Sequence, residues 1–250
     1  MIIVACGVGT NSIALIIECV KRGIEIDLIL FADTGGEKPH TYNYLETFNA
    51  WLKGKGLQPI VIVKKGGIKE SLEQECLRCK CLPSIAYGYK KCSQKYKVQP
   101  QDKYVNNWAP AKAEWKAGRK IIKYIGIDAD ESHRAIERPD DKKYIYQYPL
   151  IDWDMGRDEC IETIKNAGLC LPGKSACFFC PSAKISEIHQ LKAVYPELLE
   201  RALKMESNAQ LSSLKGLGRN YSWANVAGQH GLFLEGYSGT PELTCNCFDG

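Results

Sequence analysis

A chain of 250 residues, 45% of them apolar, is long enough to bury a full core, so one domain or one domain with an appendage is expected. The 33 basic and 29 acidic residues leave a net charge of +4, too mild by itself to argue for a nucleic-acid partner. No apolar stretch approaches the length of a membrane span and the N-terminus lacks a charged-then-apolar leader, so a cytoplasmic protein with no membrane partner is expected.

Residues 1–65 read as β-α-β-α-β, with strands at Ile2–Ala5, Asp27–Ala32 and Ile60–Lys64 and helices at Ser12–Arg22 and Thr41–Lys53. Ile13, Ile16, Ile17 and Val20 fall on one face of the first helix, and Tyr44, Leu45, Phe48, Trp51 and Leu52 form the buried side of the second. This alternation predicts an α/β fold, a doubly wound and mainly parallel sheet with helices on both faces. Residues 66–119 show no long period and read as an irregular, partly helical insertion. Ile121–Ile127 is a buried strand and Tyr144–Leu150 a further extended run. Arg157–Ala167 and Ile185–Glu206 are helical by period, the latter split near Pro196, and 207–250 is tail-like. The expected organisation is an α/β domain over 1–155 and a helical, cysteine-containing region over 156–250.

The turn Cys6–Ser12 (CGVGTNS) joins the first strand to the first helix, which is the geometry of a phosphate cradle. Gly7 and Gly9 allow close backbone approach, and the free N–H groups of the helix start point at the anion. Asp33-Thr34-Gly35-Gly36 ends the neighbouring strand, at the edge where open α/β sheets bind ligands. The chain holds 12 cysteines, many for a cytosolic protein of this size, so their clustering points to metal or redox chemistry. Cys177-Phe-Phe-Cys180 places two sulfurs on one turn. Cys76, Cys79 and Cys81 form a second group, beside Arg78 and Lys80, which would lower a thiol pKa. Cys19 reads as a small core residue. Lysines interleave with aromatics at 87–97 and 108–123, a pattern that suits stacked bases but is more often a solvated face. The four histidines have no ligand spacing.

Four of these segments, in order, resemble the PAPS reductase-like and ATP-pyrophosphatase (PP-loop, adenine nucleotide alpha hydrolase-like) superfamily. Cys6–Ser12 resembles its phosphate loop, and Asp33-Thr34-Gly35 with Pro39–Tyr42 its DTG…PxTY element. Cys92–Pro100 and Gly126–Arg134 resemble its Cys-Lys-x-x-Pro and G-x-x-x-x-E-S-x-R elements. The resemblance implies an enzyme that binds ATP or a related adenine nucleotide and acts at its α-phosphate. Adenylyl activation with pyrophosphate release, with or without a link to sulfur transfer, is the form implied. Gly7, Gly9, Thr10, Asn11 and Ser12 would hold phosphate oxygens, while Asp33, Thr34 and Gly35 would face the adenosine. Lys97 and Arg134, with Lys95, would neutralise phosphate charge. Glu131 with Asp130 would hold Mg²⁺.

The Cys177–Cys180 pair followed by Pro181 also resembles the cluster ligands of sulfonucleotide reductases. The implied metal set is Cys92, Cys160, Cys177 and Cys180, holding a 4Fe–4S cluster, with Zn²⁺ as the alternative. Cys160 replaces a missing ligand, and Cys170 and Cys81 are the runners-up. A PAPS/APS reductase using Cys245 or Cys247 is the alternative activity. Against it, Asp128 stands where many such reductases carry arginine, and their Glu-Cys-Gly-Leu/Ile-His tail is missing. A non-catalytic nucleotide or nucleic-acid module is the third reading. The acceptor or sulfur donor is not specified, and homo-oligomerisation is left open.

Overall fold

The apolar runs and helix signals at the start of the chain fold as expected. The computed structural model describes residues 1–66, 70–83, 85–86, 89–136, 139–212 and 214–228. It begins with β1 (Ile2–Ala5), α1 (Thr10–Lys21), β2 (Leu28–Ala32), α2 (Pro39–Gly54) and β3 (Val61–Val63). Next come α3 (Leu72–Arg78), the short antiparallel strands β4 (Ile85–Ala86) and β5 (Tyr89–Lys90), and α4 (Lys91–Ser93). A π-helical stretch, Gln94–Val98, leads into α5 (Gln99–Asn107) and α6 (Ala109–Lys116). β6 (Ile121–Ile125), a 3-10 turn at Ala129–Arg134, β7 (Tyr144–Gln147), α7 (Pro149–Asp152) and α8 (Arg157–Asn166) follow. The described elements end with α9 (Ile185–Val194), α10 (Pro196–Asn208) and α11 (Trp223–Gly228).

Five strands form one parallel sheet in the order β3-β2-β1-β6-β7. The chain grows outward from β1 in one direction through β3, then returns to the other side of β1 with β6. Strand order therefore reverses between β1 and β6, an arrangement compatible with a Rossmann-like α/β fold.

The two-residue period of a strand sends alternate side chains into different cores. Val4 joins Ile13, Ile16 and Phe48 under α1, α2 and α8, whereas its neighbour Ile3 joins Val105 and Ala111 under α5 and α6. The irregular, partly helical excursion expected over 66–119 includes two regular helices, α5 and α6, which furnish the second face of the sheet. Their buried apolar stripe is narrow, essentially Val105 and Ala111, supplemented by half-buried Tyr104, Trp108 and Trp115, so the helical period is faint in the sequence.

A third core gathers α3, α9, α10 and α11 around Phe178, Phe179, Tyr96 and Trp223. The cores divide the chain differently from a linear boundary at 155/156. The α8 helix turns Cys160 and Ile164 onto α1's core, while α3 packs with the C-terminal helices. The Glu206 carboxylate organises this third core. It accepts hydrogen bonds from the backbone N–H groups of Leu217 (2.6 Å), Trp223 (2.9 Å) and Ala224 (3.0 Å) and from the Ser222 hydroxyl (2.6 Å). Glu206→Gln turns an amide NH₂ toward one of these donors and is expected to cost ~1–3 kcal/mol. A urea midpoint equal to that of the unchanged protein would contradict this role. Among the described residues no helix is long and apolar enough to cross a membrane.

Candidate functional site at the carboxyl edge of the sheet

The chain leaves β1 at Ala5 and turns into α1 within residues 6–9. Cys6 donates its N–H to the Leu30 carbonyl (2.8 Å), which ties the turn to β2. Val8 takes φ +60 while its side chain is fully buried. A β-branched residue in the left-handed region is strained by ~1–3 kcal/mol and persists only where its surroundings over-determine it.

Most polar groups of this turn are engaged within the protein. The Gly9 N–H donates to the Ser12 hydroxyl (3.2 Å), which donates back to the Gly9 carbonyl (3.1 Å). The Ser175 hydroxyl donates to the Gly7 carbonyl, so the segment before Cys177 roofs the loop. Asn11 bridges two elements: its Nδ2 donates to Asp128 (2.9 Å) and its Oδ1 accepts from the Arg157 guanidinium (3.0 Å). Thr10 alone of the expected loop donors lines the cavity described below. The first-turn amides of α1 have no intrahelical partner and point the same way as any helix start.

The tip of β6 meets this turn directly. A Cβ on Gly126 would come within 2.8 Å of the Ser12 Cα and N, so only glycine lets the strand end approach α1. Asp128 is buried, and that burial, with the neighbouring Glu131 charge, pushes its carboxyl up against the opposing hydrogen bond from Asn11. Its Oδ1 accepts the Glu131 N–H (3.0 Å) and starts the 3-10 turn. Glu131 then pairs with Arg134, and Asp130 accepts the first N–H of α8, that of Arg157 (2.7 Å). Glu131 and Arg134 therefore stand one turn beyond the loop contact.

On the other side of β1, Asp33 holds the strand end of β2 in place. Its Oδ1 accepts the Gly35 N–H (2.7 Å) and the Tyr42 hydroxyl (2.8 Å), and its Oδ2 meets Lys64 (2.8 Å). Thr34 accepts the Gly36 N–H (3.2 Å) and touches the Cys177 sulfur (3.0 Å). Asp33, Thr34 and Gly35, expected to face the adenosine, thus also make contacts that fasten the turn.

Lys97 is on the π-helical stretch Gln94–Val98. Its ammonium is buried 3.9 Å from Glu37, which pairs with Cys177 in an isolated β-bridge. Lys97, Cys92, Cys177 and Cys180 border one small pocket of about 30 Å³, floored by Leu72 and Phe179. Next to it, Glu75 gathers Lys65, Lys95 and Tyr96. Burial alone would raise its carboxyl, but these hydrogen bonds prevail and hold its pKa at about 2. A folded-state pKa below the ordinary glutamate value of 4.5 means stability that is present above that value and lost as pH falls toward about 2. The urea-midpoint gap between the native chain and Glu75→Gln is expected to narrow over that range, and a constant gap would contradict the clasp.

Of the expected metal set, Cys92, Cys177 and Cys180 line one pocket and Cys160 does not. Cys160 faces α1 in the sheet core, and its thiol is pushed up to about 12 by burial and by Asp128. The apolar stripe of α8 turns it inward, away from Cys92, Cys177 and Cys180. Cys170 is exposed, and Cys76 is hydrogen-bonded to Cys81 with Cys92 nearby. Among the described residues no group of three or more His, Cys, Asp or Glu is arranged to hold a metal ion. Cys245, Cys247 and His230 lie outside the described residues.

Beside Thr10 a cavity of about 300 Å³ opens between the start of α2, α8, residues 171–174 and α9. Lys38, His40, Arg157 and Lys174 contribute to its walls. The His40 imidazole donates through Nε2 to the Lys174 carbonyl (3.2 Å), and burial and the Lys38 charge hold its pKa below the usual histidine value. Gly173 presses on that ring, where a Cβ would come within 2.5 Å.

Neither a protein-family model nor a curated protein sequence matches the chain. Sequence reasoning missed Lys38, Arg157 and Lys174, which belong to no motif and are brought together from three separate segments. Of the aromatics interleaved with lysine, Tyr96 is buried and Trp108 and Trp115 lie against the second-face core, as a solvated face with packed aromatics requires.

Proposed function

We propose that the chain binds ATP or a related adenine nucleotide and reacts at its α-phosphate, in the manner of the PAPS reductase-like and ATP-pyrophosphatase superfamily that its motifs resemble. The observation that supports this reading best is the position of the Cys6–Ser12 turn. It leaves the sheet at its carboxyl edge beside β6, where the strand order reverses, and directs the start of α1 toward a cavity with cationic walls.

In the proposed step an acceptor atom bonds to the α-phosphorus while the bond to the bridging oxygen breaks and pyrophosphate leaves. Thr10 and the first-turn amides hold phosphate oxygens, and Arg134, oriented by Glu131, faces developing charge. Asp130 and Glu131 already have protein partners, so they do not form a cation site by themselves. Mg²⁺ would arrive with phosphate oxygens and supply charge neutralisation there. Lys97 acts with Glu37 beside the thiols instead of at the phosphate. With Mg²⁺ and the protein, ATP should yield AMP and pyrophosphate in a ³¹P NMR assay. Formation of only ADP and phosphate, or no nucleotide binding at millimolar ATP, would contradict the proposal.

A second reading, a sulfonucleotide reductase, is favoured by the shared pocket of Cys92, Cys177 and Cys180. Among the described residues these thiols are not grouped with a third or fourth ligand as a metal set. No step is therefore routed through a metal. Anaerobic purification with iron, sulfide and zinc analysis, together with sulfite release from a sulfated adenosine nucleotide, separates the two readings.

A further inference from the structure

We infer that the cavity beside α1 is a receptor for a small oxyanion, a phosphate, pyrophosphate or sulfate group, held chiefly by Lys38 with Arg157 and Lys174 beside it. The cavity's own chemistry carries this. Its volume of about 300 Å³ is at the small end of ligand sites. Three basic side chains line it against a single carboxylate, Glu187. That carboxylate is already taken by Lys174 (2.5 Å) and by the Lys184 N–H (2.8 Å). The Arg157 guanidinium meets a neutral amide oxygen on Asn11, so this contact leaves its charge uncompensated.

Lys38 is the decisive group. Among the described residues its ammonium makes no hydrogen bond or salt bridge, although the residue is partly buried. Burial, with the added repulsion of Lys174, holds its ammonium below the usual lysine range, against the opposing pull of Glu187, Cys180 and Glu37. A desolvated cation without a partner is unfavourable, and an oxyanion in the cavity would supply that partner. Thr10 and the dipole of the 12-residue α1 reinforce the preference for negative charge at the same end. Ile161, Leu171 and Leu191 add apolar wall to the same cavity.

The site does not depend on the adenine reading, which bears only on whether the anion is free or part of a nucleotide. The test uses the full chain in phosphate- and sulfate-free buffer, titrated with inorganic pyrophosphate, phosphate or sulfate at constant ionic strength. Thermal unfolding and calorimetry provide the readouts. The native chain should bind at least one of these anions and gain melting temperature. Lys38→Met should fold with an equal or higher melting temperature without anion, because it removes a desolvated charge. Its affinity should fall by ~tenfold or more. Lys38→Arg should restore much of the binding and provides a charge-preserving control.

If ATP displaces the anion competitively and Lys38→Met weakens both, the site takes the phosphates of a nucleotide. If ATP and the anion bind together and only the anion depends on Lys38, the site takes a free oxyanion. Loss of ATP binding alone would end the nucleotide proposal and leave this one intact. Absence of anion binding to the native chain, or native-like binding to Lys38→Met, would overturn it whatever ATP does.

Discussion

Gly126→Ala is expected to destabilise the protein by ~1–3 kcal/mol or more and to abolish nucleotide binding in the same step. The added methyl would stand 2.8 Å from the Ser12 Cα and N and 3.0 Å from the Asn11 carbonyl carbon. All three are backbone atoms of α1's first turn, so no rotamer change relieves the overlap. β6 would have to withdraw from β1, although Ile125 is in register with Ala5 immediately before the contact. That withdrawal would also pull Asp128 from Asn11, which are now 2.9 Å apart. Gly54 provides the control, since it lies in α2 with nothing within 4 Å of where a Cβ would stand. Gly54→Ala should be neutral or stabilising by roughly 0.5–1 kcal/mol, as helix propensity dictates. Urea midpoints measure both, and a Gly126→Ala midpoint equal to that of the unchanged protein would contradict the close approach.

The second large effect is expected at Asp33. Asp33→Ala removes the acceptor for the Gly35 N–H and the Tyr42 hydroxyl, both within a buried strand end. Leaving two such donors unsatisfied should cost roughly 2–5 kcal/mol. Asp33→Asn keeps an oxygen where both donors converge and loses chiefly the Lys64 pair, whose lysine is 45% exposed. Exposed pairs of this kind contribute about 0–1 kcal/mol. The alanine variant should therefore be far less stable than the asparagine variant, while Asp33→Asn keeps its affinity for ATP. Equal midpoints, or a selective loss of ATP affinity in Asp33→Asn, would show that Asp33 contacts the ligand instead of positioning the turn.

Much of the sheet was legible because its signals are local. Ile3 and Val4, or Leu30 and Phe31, are apolar on both sides of a strand, as a parallel sheet with two covered faces requires. The α1 stripe and the Pro196 break were equally readable from spacing. The second-face helices were not, since α5 and α6 bury little more than Val105 and Ala111. Residue identity located the Cys6–Ser12 turn but gave no account of its internal hydrogen bonds, which depend on Ser175 arriving from far along the chain. The place of Cys160 in the sheet core was not legible, because C-x-x-C spacing says nothing about where a distant fourth thiol points. The cationic wall was invisible for a related reason: Lys38, Arg157 and Lys174 converge only through the packing of α2, α8 and the segment before Cys177. Gly173 was the one local clue, and its meaning emerges only from the His40 ring against it.

Backbone hydrogen exchange, measured residue by residue with and without ATP and Mg²⁺, addresses the nucleotide proposal most directly. Saturating nucleotide should slow exchange at the amides of Thr10, Asn11 and Ser12 and along Asp128–Arg134, with β3 and β7 unchanged. Nucleotide that binds while leaving the first turn of α1 unaltered, or no protection anywhere at millimolar ATP, would contradict the account.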